Sequence, residues 1–111
     1  MGEIDEFLAR QTPEARVLAK RLISLIKAAI PGVMETTNSK GNPVYSIGGR
    51  NVVWVACGRA HAELGFFDGI LLSSTLLQGN GRKLRHIIIQ ARGKLDEKEI
   101  DRLLRDAAGA K

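Results

Sequence analysis

Apolar side chains recur at helical spacing through the first thirty or so residues and at strand spacing thereafter. Ile4, Phe7 and Leu8 fall on one helical face, so residues 3–10 predict a short helix. Thr12 is a good N-cap, Pro13 suits the first helical position, and Glu14 complements the positive helix end. Val17, Leu18, Leu22, Leu25, Ile26 and Ile30 then form a wide apolar stripe, with Arg16, Lys20 and Lys27 on another face. Pro31-Gly32 stops this helix.

From Val33 to Ile89 the signals change to β. Thr36-Thr37, Val44–Ile47, Val52–Cys57, Ala62–Phe67 and Lys83–Gln90 predict short strands, separated by turns rich in Gly and Asn. Parallel strands would need long crossovers, so these spacings fit an antiparallel meander. Residues 70–77 suit either a short helix or an irregular packed turn. Asp96 caps a closing helix, Glu99 stands where a capping box would close, and Ile100, Leu103, Leu104 and Ala107 form its buried stripe. A sheet with one bare apolar face needs a covering layer, and two amphipathic helices supply it. The expected fold is α+β: a two-layer sandwich, one domain over residues 1–111, with an antiparallel sheet of about five strands backed by N- and C-terminal helices.

The net charge of +5 is unevenly placed. Arg82, Lys83, Arg85, Arg92 and Lys94 lie within residues 79–94 without an acid among them, whereas Asp and Glu collect at the two ends. A basic centre favours anionic partners. Gly79-Asn80-Gly81 can adopt positive φ cheaply, so successive N–H groups can converge on an anion. Arg82 and Lys83 would add charge, and Arg85 could grip a phosphate or carboxylate through two bonds. The bland alternative is a tight turn with solvated cations. The run precedes a strand and lacks the ending of a nucleotide-binding P-loop.

Alternation puts Leu84, His86 and Ile88 on one face of the last strand and Lys83, Arg85, Ile87 and Ile89 on the other. If the Leu84 face meets the helices, His86 is partly buried near the sheet edge and reads as a satisfied structural residue, the alternative being a role in ligand binding or proton transfer. Tyr45, Trp54, Phe66 and Phe67 read as core. In the alternative, Tyr45 or Trp54 lines a pocket on the open sheet face with Arg85 as polar anchor. Glu63 and Asp68 are available to pair with Arg85 or Lys83.

Cys57 is the only cysteine, so no internal disulfide can form, and its apolar strand reads as core even though His61 is near in sequence. No apolar run approaches the ~20 residues of a membrane helix, and a reduced cytoplasmic setting is expected. No nucleophile-plus-base pattern and no tight cluster of metal ligands can be read, so neither an enzyme nor a cofactor is expected from the residues alone. Nucleic acid is a weaker reading, because recognisable motifs and exposed stacking aromatics are lacking. An uncovered sheet face or edge would favour a homodimer.

Several blocks together resemble a known family. They are the opening Ile4-Asp5-Glu6-Phe7-Leu8, the long helix ending at Pro31, the strand entry Asn42-Pro43-Val44-Tyr45 and the corner Phe66-Phe67-Asp68-Gly69. The most specific is Leu76-Leu77-Gln78-Gly79-Asn80-Gly81-Arg82-Lys83-Leu84-Arg85-His86-Ile87. From Ile4 to about Ala107 the chain resembles the YdhG-like family, small bacterial domains of largely uncharacterised function. It departs by placing Arg82 before Lys83, and by Asn38-Ser39-Lys40 where relatives often carry Trp-Gly. The resemblance implies the same helix-backed antiparallel sheet. Some relatives are regarded as frataxin-like iron chaperones, which would bind hard iron on exposed carboxylates; here those would be Asp5, Glu6, Glu97 and Asp101.

Overall fold

The computed structural model describes residues 2–109. Helix α1 spans Glu3–Ala9 and helix α2 spans Pro13–Ala29. Thr12 caps α2 as expected, its hydroxyl accepting the Ala15 N–H at 3.2 Å. The buried stripe of α2 is Ala15, Ala19, Leu22, Ile23, Ile26 and Ala29. Val17, expected in that stripe, is 69% exposed. At about 100° per residue it lies about 200° around the helix from Ala15. The small Ala15 and Ala19, not the larger valine, are buried on this face.

Five strands follow: β1 (Met34–Thr37), β2 (Pro43–Ile47), β3 (Arg50–Cys57), β4 (His61–Phe66) and β5 (Arg85–Gln90). They pair antiparallel in sequential order, the meander that the spacing predicts. The β2–β3 turn needs positive φ at both central residues, and Gly48 (58°) and Gly49 (81°) supply it. Helix α3 (Glu97–Gly109) closes the chain. Asp96 caps it by accepting the Glu99 N–H at 3.2 Å. Glu99 itself turns outward to Ser74 and Arg102 instead of closing a capping box.

Residues opposed across strand pairs share a face. Tyr45, Val53, Val55, Leu64, Phe66, Ile87 and Ile89 point to the side that α2 and α3 cover, and all are buried. Val44, Trp54, Ala56, Glu63, Gly65, His86 and Ile88 point to the other side. Among the described residues that second face carries no helix layer. The strand alternation left two options for β5, and the Ile87 face is the one that meets the helices. Leu84, His86 and Ile88 therefore lie on the open face.

Between β4 and β5 the chain makes a 3-10 turn over Gly69–Leu71 and then runs irregularly. Leu72, Leu76 and Leu77 pack on the core. Polar bonds tie this segment to α3: Ser74 Oγ donates to Glu99 at 2.6 Å, and Arg102 donates to the Ser73 carbonyl at 2.8 Å. Gln78 and His86 then exchange two backbone bonds, of 2.8 and 2.9 Å, at the free edge of β5. This pair closes the loop that carries the basic run.

Candidate functional site

Gly79 to Leu84 are all exposed. The loop is held from beneath through its carbonyls. Arg85 Nη1 donates to the Gly81 and Leu84 carbonyls at 2.7 Å each, and the Lys83 carbonyl accepts the Ile70 N–H at 2.9 Å. In a trans peptide the N–H points opposite to its C=O, and no cis bond is present among the described residues. The N–H groups of Arg82 and Leu84 are thus turned away from the groups that hold Gly81 and Lys83. Among the described residues, none of the six amides from Gly79 to Leu84 donates to the protein. Within this run only Gly79 takes a positive φ, 115°; Gly81, expected to share it, does not.

Arg82 and Lys83 have no carboxylate within ion-pair distance among the described residues. Arg85 differs from expectation in part. One nitrogen of its guanidinium, Nη1, braces the loop, while Nε and Nη2 have no protein partner among the described residues. Glu63 and Asp68 pair with neither Arg85 nor Lys83 among the described residues. His86 is half-buried on the open face, opposite Gly65, with Gly79 passing beside its ring. Tyr45 is not brought to this site: it is fully buried on the helix-covered face, its hydroxyl donating to Glu35 at 2.7 Å. Burial first, and the Glu35 carboxylate second, push its phenol far above the ordinary range.

The open face holds a second feature beside the loop. Trp54 and Phe67, both expected in the core, are half-buried here, whereas Tyr45 and Phe66 are core. The indole lies against Gly65, where any Cβ would run into its ring. Trp54 Nε1 donates to Glu63 Oε2 at 2.9 Å, and the Phe67 ring meets it edge-on with centroids 5.0 Å apart. Trp54, Ala56, Glu63, Phe67 and Leu84 line a groove of about 400 Å³, bounded on one rim by the Asn38–Asn42 turn. Asn38 Oδ1 fixes that rim by accepting the Lys40 and Asn42 N–H groups at 3.0 and 3.1 Å. One sequence signal pointed here. A glycine inside a strand often marks close approach of another group, but only the register reveals that the group is Trp54.

The other sequence candidates separate. Cys57 faces the covered side and donates weakly to the Ala15 carbonyl at 3.8 Å, while His61 opposes Gln90 on the other face. Burial pushes the Cys57 thiol up to about 11, the opposite of an activated nucleophile. Of the helix cations, Arg16 donates to the Leu8 and Gln11 carbonyls at 2.9 Å, and Lys27 pairs with Glu35 at 3.2 Å. Glu97 pairs with Arg21 and Asp101 with Arg105. Among the described residues no three His, Cys, Asp or Glu side chains are placed to hold a metal ion together, and no helix is long and apolar enough to cross a membrane. No family model, curated protein or solved structure matches the chain.

Proposed function

We propose that this is a small cytoplasmic, non-enzymatic binding module that takes a small anion, or an acidic group of a partner, on the Gly79–Leu84 loop. One observation carries the reading: exposed amides without protein partners stand beside two cations without carboxylate partners. An oxyanion would supply what both lack. Each charge-assisted bond it accepts is worth about 1.5–3 kcal/mol. Because Arg85 fixes the loop from below, little ordering accompanies binding. His86 stands at the loop's base, its ring beside Gly79.

The YdhG-like assignment belongs to this proposal and is compatible with a binding role. The iron-chaperone reading draws no comparable support, since Glu97 and Asp101 already engage guanidinium groups. Calorimetric titration with inorganic phosphate and citrate tests the proposal. The expected result is saturable binding that the double change Arg82→Ala/Lys83→Ala weakens at least tenfold. Absence of binding by the unaltered chain, or equal binding by the variant, would sink it.

A further inference from the structure

We infer that the anion is a mononucleotide, its base stacked on Trp54 and its phosphate seated on the Gly79–Leu84 loop. This rests on the anion reading above and adds the chemistry of the rest of the ligand. Since Gly65 lacks a side chain, the Trp54 indole packs against β4 at that residue, and the half-buried ring lines the groove. The indole is held by Glu63 at 2.9 Å and by Phe67, whose ring lies at a 67° interplanar angle to it. An aromatic plane already held in place loses little freedom when a ring stacks on it.

Glu63 forms no ion pair among the described residues, so its carboxylate can accept another hydrogen bond beside that plane. The group it suits is an N–H in the plane of a stacked ring, as on the amino edge of a nucleobase. The same carboxylate repels an anionic substituent beside it, so the ligand's negative charge lies away from that edge of the ring, even with Lys40 on the groove's rim. Such a place exists. The row Trp54, Gly65, His86, Gln78 crosses the open face and ends where Gly79 begins. Trp54 on β3 and His86 on β5 are two strand spacings apart, about 10 Å, room for a ribose between base and phosphate. Leu84 belongs to both halves, since it ends the loop and lines the groove. A groove of about 400 Å³ with one stacking platform suits one nucleotide. A single strand would want successive aromatics.

Trp54 is the only tryptophan, so its emission reports the platform directly. The full chain is titrated with adenosine monophosphate, inorganic phosphate and adenosine. The expected result is quenching of Trp54 by the nucleotide, with affinity about tenfold or more above that for phosphate. Trp54→Leu should remove that advantage and leave phosphate binding unchanged. Glu63→Gln should reduce the advantage while Trp54 emission still shows a folded chain. Equal affinity for nucleotide and phosphate without quenching would overturn the inference and leave the anion reading standing. Failure of both ligands would overturn both. Tight binding of oligonucleotides, growing with length, without binding of the mononucleotide would also overturn it.

Discussion

Replacing Gly65 with alanine puts the Trp54 geometry at risk through one methyl group. In an ordinary strand the change would help, because alanine restricts the unfolded chain and adds about 0.4–1 kcal/mol of stability. Here the new Cβ would fall inside the indole, so Trp54 must swing away from β4. It then loses the bond from Nε1 to Glu63, worth about 1.5–3 kcal/mol to a charged acceptor. It also loses the edge contact with Phe67, worth about 0.5–1.5 kcal/mol. Trp54 and Glu63 are only half-buried, so the lower values apply and solvent recovers part of them. The net expectation is destabilisation by about 0.5–1.5 kcal/mol after the backbone gain, or roughly 2–6 °C in Tm for a chain of this size. Urea unfolding followed by circular dichroism measures the first quantity, and Trp54 emission, shifted to the red, reports the displacement. A variant as stable as the parent, or more so, with unchanged emission would show that the indole does not rest on Gly65.

Three further outcomes follow from the same contacts. Arg85→Ala removes the brace on the Gly81 and Leu84 carbonyls. Amide exchange across Gly79–Leu84 should quicken several-fold and phosphate affinity should fall, even though Arg85 is not assigned a ligand contact; unchanged exchange would contradict the bracing role. The Cys57 thiol, raised by burial to about 11, should react slowly with iodoacetamide at pH 8 and faster as the pH nears that value, whereas rapid labelling at pH 8 would contradict its placement. Arg102 first, and Ser74 second, hold the Glu99 carboxyl down to about 2. Its folded pKa lies below the usual carboxylate value of about 4.3, so the stabilising link is complete above that value and is lost as pH falls toward about 2. Exchange of the Leu76 amide, bonded to Ser74 Oγ at 3.2 Å, should quicken in that acidic window. Loosening confined to pH above 5 would refute the assignment.

Helices were the most legible part of the chain because N-cap residues stand where each apolar period begins, although Val17 in α2 faces outward. Thr12-Pro13 opens α2, and Asp96 opens α3, as their side-chain chemistry requires. Strand existence was equally legible, but face assignment was not. Both alternating sets on β5 are apolar enough to be core, and only packing of α2 and α3 chooses Ile87 and Ile89. That choice moves His86 and Leu84 to the open side. A register shift between Tyr45 and Ser46 displaces the β2–β3 pairing, and both Val52 and Val53 are buried. Simple alternation therefore fails on the very strand that carries Trp54. The exposed glycine loop was readable because its local residues dictate it. The role of Arg85 was not, because a cation at the start of a strand can turn outward to a ligand or back to its own loop. Nothing in the spacing distinguishes the two.

The central claim is that the Gly79–Leu84 amides are open donors for an anion. Heteronuclear NMR of the labelled full chain during titration with inorganic phosphate reads those six N–H groups individually. Saturable shifts concentrated on Gly79 to Leu84, weakening as salt is raised, are the predicted result. Shifts spread evenly over every surface cation, or none in this loop, would contradict it.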